Sequence, residues 1–165
     1  MTNPSDFPDV YRRFIAPIRA KCQRTLGRTD AAEDIAQEAF VRLWQSGPRI
    51  TKETETRTIM SWLYLTTTRL AIDHLRMKRR HVSEDELVAL PGGVSAQEAL
   101  TARSHIVALI ARVERDELEA ALLVRVDGLT HPEAATILNV SERTVRRLLE
   151  RFDEQSASLR KEHSS

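Results

Sequence analysis

A single cysteine, Cys22, in a chain of 165 residues excludes an internal disulfide framework. Aromatic residues make up only 5% of the chain, with 5 glycines and 6 prolines, so neither alternating strand patterns nor tight-turn signals are frequent. No run of 18 apolar residues occurs, which excludes a membrane-spanning helix. The opening MTNPSDFPDVYRR has no apolar core of a secretory signal, so a cytoplasmic protein without membrane insertion is expected. His74, His81, His105, His131 and His163 are scattered and share no ligand spacing, and no nucleophile–base pair or phosphate-cradling glycine loop is present. Neither a metal, nor a cofactor, nor a catalytic residue is expected.

Helical periodicity fills most of what remains, with 41% hydrophobic and 30% charged residues. Val10, Phe14, Ile15, Ile18 and Leu26 mark a first helix ending near Gly27, with Cys22 on its apolar face. Asp30 and Glu33 form a D-x-x-E start for a second, which runs to about Trp44 before Gly47-Pro48. Residues 46–58 read as a polar loop, and a long third helix follows from about Ser61 to Arg80. Residues 82–97, with Glu84-Asp85-Glu86 and Pro91-Gly92-Gly93, read as an acidic linker. Helices resume near Ser95, another spans about Asp116 to Val126, and the terminal SASLRKEHSS reads as a disordered tail. The expected fold is all-α: two small helical bundles, 1–81 and 98–165, joined by the linker 82–97.

The net charge of +1 conceals an asymmetry. Residues 1–80 carry 15 Lys+Arg against 9 Asp+Glu, and residues 81–100 carry none against 4. A basic first domain beside an acidic connector points to several charged contact surfaces.

Gly128 to Phe152, GLTHPEAATILNVSERTVRRLLERF, is the densest signal. Thr130 and Glu133 make a T-x-x-E capping box with Pro132 in the first turn. Asn139 suits a left-handed turn, and Ser141 is a favourable N-cap for a second helix. On that helix Val145, Leu148, Leu149 and Phe152 share one side. Arg143, Arg146, Arg147 and Arg151 lie opposite, with Thr144 at their edge. Two short helices with arginines on the second are the geometry that places a helix in the DNA major groove.

Two further faces stand out. On the second helix Asp34, Gln37, Glu38, Val41 and Gln45 form a stripe opposite Ile35, Ala36, Ala39, Phe40 and Leu43. The third helix is apolar or small over most of its circumference, leaving Trp62, Thr66, Arg69, Asp73, Arg76 and Arg80 as a basic stripe that ends in Lys78-Arg79-Arg80. A mostly buried helix with one basic stripe suits phosphate contact.

DAAEDIAQEAFVRLW (30–44), SWLY (61–64), LAIDHLRMKRR (70–80) and DGLTHPEAATILNVSERTV (127–145) resemble, in order, the conserved regions of the extracytoplasmic-function (ECF) sigma factors of the sigma-70 family. The resemblance implies a transcription initiation factor that binds core RNA polymerase, recognises −35 and −10 promoter elements and aids promoter melting. It implies polymerase contact, through the coiled coil of the largest subunit, by Asp34, Gln37, Glu38, Val41 and Arg42, with a further contact to the flap. The −10 DNA would be met by Arg49, Lys52, Arg57, Trp62, Arg69, Asp73, Arg76, Lys78, Arg79 and Arg80. The −35 element would be read by Arg143, Thr144, Arg146, Arg147 and Arg151, and an anti-sigma factor is an implied partner. Three departures stand out: Arg69 occupies a position often held by asparagine, Val113-Glu114 replaces the usual Leu-Pro, and VRRLLERF differs at Arg147, Leu148 and Phe152, so no −35 sequence carries over. A stand-alone helix-turn-helix regulator, or a polymerase-bound accessory protein that does not melt promoters, are the alternative readings.

Overall fold

The computed structural model describes residues 6–51, 53–81 and 108–164, with the side chains of 79–81 and 163 left aside; the expected linker 82–97 and Lys52 lie outside the described residues. Among these residues the chain is all helix and loop. Helix α1 spans Phe7–Leu26, α2 Asp30–Ser46 and α3 Thr56–His81. A short helical stretch at 108–112 precedes α4, Arg115–Ala121, which widens into a π-helical turn at Leu122–Val126. Helix α5 is His131–Leu138 and α6 is Glu142–His163.

Helices α1, α2 and α3 pack as one bundle. Phe14, Ile18, Cys22 and Leu26 recur along α1 at helical spacing and meet Ala32, Ile35, Ala36, Ala39, Phe40 and Leu43 of α2, all buried. Pro17 lies on the exposed face of α1, where water can take up the Arg13 carbonyl that it leaves without a helical donor. Gly27, at φ 75°, ends α1 in a conformation that side-chain-bearing residues rarely adopt. Ile59, Leu63 and Ala71 bring α3 into the same core, and Ile50 anchors the loop before it at 2% exposure.

The second bundle buries Ala120, Ala121 and Leu123 with Ala134, Ala135, Val145, Leu148 and Leu149. A third apolar cluster, Ile72, Val113 and Leu118, lies between α3 and α4, and Tyr64 of α3 packs against both larger cores. The two bundles are therefore in direct contact.

Four expectations change in detail. Helix α2 is capped by Thr29, whose side chain accepts from the Ala32 N–H, while Glu33 instead pairs with Arg19; no D-x-x-E box forms. Helix α3 begins at Thr56, about a turn before Ser61, so Arg57 is helical and the loop is shorter than 46–58. Met77, which shares the side of Leu63 and Leu70 on the helix expected to be apolar over most of its circumference, is 59% exposed. The C-terminal segment is helical to His163 because Leu159, 2% exposed, extends the apolar face of α6 beyond Phe152.

Candidate nucleic-acid interface

The helix-turn-helix is built from local chemistry. Thr130 caps α5 through its hydroxyl oxygen, which accepts from the Glu133 N–H at 3.3 Å, while Glu133 accepts from the Thr130 N–H at 2.8 Å. The Thr130 N–H and the Thr130 hydroxyl, both donating to it, hold the Glu133 carboxyl below its usual range. Asn139 turns the chain at φ 55° and ψ 47°, and the Val140 N–H reaches back to the Ala135 carbonyl at 3.0 Å. Ser141 then caps α6, its hydroxyl oxygen accepting from the Thr144 N–H at 3.1 Å.

That turn fixes which face of α6 points outward. Val145, Leu148 and Leu149 are buried, whereas Arg143, Arg146, Arg147 and Arg151 are exposed. Thr144 is half-buried and shares a hydroxyl hydrogen bond with Ser141. Arg143, Thr144, Arg146, Arg147 and Glu150 line one shallow depression. Arg146 is 3.5 Å from Glu142, an exposed and therefore weak pair, while Arg143 and Arg147 have no ion pair among the described residues. The set is brought together as a cationic surface on a rigid helix, open to an anionic partner.

The residues on and before α3 are arranged differently. Arg49 is exposed in the loop, where its carbonyl accepts from the Thr54 hydroxyl at 3.0 Å. Arg57 is exposed on the first turn of α3, Trp62 packs half-buried against the first core, and Lys78 is half-buried. Arg79 and Arg80 continue the helix. The central three face the second bundle. Arg69 donates to Glu119 at 2.9 Å, Arg115 donates to Asp73 at 2.6 Å, and Arg76 donates to the Val113 carbonyl at 3.0 Å. The polar groups in the middle of α3 thus engage the second bundle, while the Arg69 and Asp73 side chains stay 53% and 52% exposed.

The α2 stripe is open. Asp34, Gln37, Glu38, Val41 and Arg42 are all exposed, and Val41 shows 46% of its surface among polar neighbours. Arg42 donates to Glu38 at 2.8 Å, and Gln37 bonds the Tyr11 hydroxyl and Glu33.

Sequence reasoning missed the pair that joins α1 to the second bundle. Lys21 donates to Asp127 at 2.6 Å with 2% and 0% of the two side chains exposed, and Arg24 reaches the other Asp127 oxygen at 3.1 Å. The Lys21 ammonium also lies 5.1 Å from the centre of the Tyr64 ring. Burial lowers the Lys21 pKa, with Asp127 opposing that shift. A lysine three residues after buried Ile18, on the apolar side of a helix, was the available signal. Its partner, 106 positions away, carried none.

Comparison with known proteins decides the family. Residues 10–81 match the model for sigma-70 region 2, and residues 111–160 match that for a homeodomain-like domain. The ECF RNA polymerase sigma factor SigW of Bacillus subtilis is 38% identical over 104 residues, 63% of this chain and 49% of that protein. The chain belongs to the ECF group of the sigma-70 family. A probable RNA polymerase sigma factor of Xanthomonas campestris pv. campestris, RfaY, is 32% identical over 130 residues, 73% of this chain and 32% of that protein. This ECF-family chain therefore spans about half the length of one curated relative and a third of the other. Among solved structures, CnrH in complex with the cytosolic domain of CnrY superposes with a TM-score of 0.53 at 18% identity, covering 95% of this chain and 88% of that one. RpoE in complex with the anti-sigma factor NepR from Bartonella quintana gives 0.52 at 21%, covering 94% and 97%. At those identities the two superpositions speak for the ECF fold alone.

Proposed function

We propose that this chain is a transcription initiation factor that binds core RNA polymerase, directs it to promoters through −35 and −10 elements and aids melting, with no catalytic step of its own. The division is a polymerase- and −10-binding domain over 1–81, a connector over 82–97 and a −35-binding domain over 98–165. The observation that carries this reading is the exposed arginine face of α6, held outward by a doubly capped helix-turn-helix.

In this mechanism Arg143, Thr144, Arg146, Arg147 and Arg151 enter the −35 major groove, the arginines bonding guanine edges or holding phosphates. The open stripe Asp34, Gln37, Glu38, Val41 and Arg42 meets the coiled coil of the largest polymerase subunit, and the second domain meets the flap. Arg49, Lys52 and Arg57 hold phosphates while a base leaves the stack, whose unstacking cost of a few kcal/mol must be offset by such contacts. Trp62, Arg69, Asp73, Arg76, Lys78, Arg79 and Arg80 complete the −10 surface. The anti-sigma factor in one superposed structure supports a partner of that kind here. The absence, among the described residues, of a helix long and apolar enough to cross a membrane fits action on cytoplasmic DNA.

The test is transcription in vitro with purified core polymerase and the DNA upstream of this protein's own gene cluster. A start site that depends on added protein is expected. Polymerase binding without any transcript would instead assign an accessory role. Specific duplex binding with two-fold symmetry, and no polymerase binding, would assign a stand-alone regulator.

A further inference from the structure

Between the two bundles lies a cavity of about 320 Å³ whose lining, among the described residues, is apolar except for Arg24, Thr25 and Arg125. Ile72 and Leu75 of α3 supply one part of it, and Leu118, Leu122, Val126 and Phe152 of the second bundle supply another. Leu122, Arg125 and Val126 belong to the π-helical turn, a local widening that is frequent at functional sites. Val126 lines the cavity while 37% exposed, so its apolar surface is incompletely covered. Arg24 and Arg125 are 38% and 44% exposed, so their stems line the cavity while their guanidinium groups reach water. Arg24 pairs with Asp127, which Lys21 also holds, and Arg125 pairs with Asp153 and lies 5.6 Å from the centre of the Phe152 ring. Three cations here share two carboxylates among the described residues, so this edge keeps one positive charge in excess.

We propose that this cavity is a binding site for a free medium-chain fatty acid, with the chain among the apolar side chains and the carboxylate at Arg24 and Arg125. The volume decides the chain length. At about 30 Å³ per heavy atom, the share that a water molecule takes in the liquid, the cavity holds a chain of about ten carbons. One chain fits, and the two chains of a membrane lipid do not. The charge decides the head group. A neutral alcohol or an ammonium leaves the excess positive charge uncompensated, whereas a carboxylate accepts charge-assisted hydrogen bonds from guanidinium groups. Neither arginine has to leave its present partner. Arg24 meets Asp127 through Nε and Nη2, and Arg125 meets Asp153 through Nη1 and Nη2, so Nη1 of the first and Nε of the second are left to donate. The lining comes from both bundles, so a bound acid bridges α3 and the second domain and gives the chain a direct response to an amphipathic acid. The site uses neither the α6 arginines nor the open α2 stripe, so it stands independently of the DNA and polymerase assignments.

The test is isothermal titration of the full-length chain with straight-chain fatty acid anions at neutral pH, each below its micelle concentration. Saturable binding of one decanoate per chain is expected. From hexanoate to decanoate the affinity should rise about fourfold per methylene withdrawn from water. The gain should stop near about twelve carbons, when the chain fills the cavity. Decyltrimethylammonium, with the same chain and the opposite charge, should bind about tenfold more weakly or less. Val126→Trp fills the cavity from its exposed edge and should abolish saturable binding. Arg125→Gln, at a more exposed position, should weaken decanoate about tenfold and leave decanol unchanged. It keeps the test decisive where Val126→Trp fails to fold, as judged by circular dichroism. No saturable binding, equal binding of the ammonium, an affinity indifferent to chain length, or undiminished binding in the folded variants would overturn the site. Binding that appears only after Leu87→Ser combined with Leu90→Ser would overturn it too, giving the cavity to the acidic connector, which lies outside the described residues.

Discussion

Thr130 and Glu133 hold each other's backbone: each N–H donates to the other's side chain, at 2.8 and 3.3 Å. Four N–H groups at a helix start have no partner within the helix, and this exchange satisfies two N–H groups at the start of α5. Thr130→Ala leaves Glu133 with only half of the exchange. It should cost about 1 kcal/mol, read as a lower thermal midpoint with the helical spectrum preserved. An unchanged midpoint would show that α5 is held by its apolar packing alone.

The same carboxylate gives a pH signature. The pKa values of Glu133 and Asp153 are lowered, Glu133 by the hydrogen bonds of the cap and Asp153 by its two hydrogen bonds from Arg125. Because the folded values lie below the unfolded ones, their stabilisation is complete above the ordinary carboxylate range and is lost as pH falls through the depressed values. Glu117 has the opposite sign: desolvation raises its pKa, so protonation on acidification relieves a penalty rather than removing a contribution. Titrating the thermal midpoint from about pH 7 to about pH 3 should show a net acid loss. Glu133→Gln should start lower and fall less steeply; a parallel curve would exclude Glu133 as a contributor.

Gly47 sits where no side chain fits. A Cβ there would come within 2.6 Å of the Leu43 carbonyl oxygen, 2.7 Å of its Cδ1 and 2.9 Å of its Cα. Gly47 also closes α2, its N–H donating to that carbonyl at 3.2 Å. The obstacle is backbone and a fully buried leucine, neither of which yields easily. Gly47→Ala should cost about 1–3 kcal/mol in urea unfolding, without a change in surface charge.

The helix-turn-helix was legible residue by residue because its determinants are local. Thr130, Glu133, Asn139 and Ser141 lie within about one turn of the groups they satisfy, and the structure shows each in the expected place. The start of α3 was not legible because the first helical bonds close on the carbonyl of Glu55, which is not a capping residue by type, and Ile59, the one buried residue from Thr56 to Met60, gives no periodicity alone. Thr29 was passed over because Asp30 beside it is an equally good cap by type; only backbone geometry chooses between them. The pairs Arg69–Glu119 and Lys21–Asp127, separated by 50 and 106 positions, depend on how two bundles dock. Side-chain type marks Lys21 as unusual, but nothing near it in the chain names its partner.

On α6, Arg143 and Arg147 are exposed and have no ion pair among the described residues, so truncating them breaks no such pair. Arg143→Ala and Arg147→Ala should leave the unfolding free energy within about 0.5 kcal/mol of wild type. Each should lower promoter-dependent transcription about tenfold or more if it bonds a base edge. A phosphate contact would instead weaken binding evenly across sequences and reduce the salt slope by about 1. The two roles separate when promoter variants are compared at several salt concentrations. Full transcription from both variants would sink the assignment of α6 to the −35 element.

Val41 is the one large apolar side chain left 46% exposed on α2, and its neighbours Asp34, Gln37, Glu38 and Arg42 surround it with polar groups. An apolar centre with a polar rim is how protein interfaces are organised, because only the centre becomes fully dry. Val41→Asp leaves the bundle core untouched, since Leu43 and Phe40 supply the buried face. It should therefore preserve stability while placing a charge in the centre of the contact. Binding to core polymerase should weaken by about 2 kcal/mol or more, roughly 30-fold, with duplex contacts of α6 unaffected. Glu38→Ala should weaken it far less, because Glu38 lies on the rim and already pairs with Arg42 at 2.8 Å. Equal losses from the two variants would place the centre of the contact elsewhere on the bundle, and no loss from Val41→Asp would remove α2 from the polymerase interface.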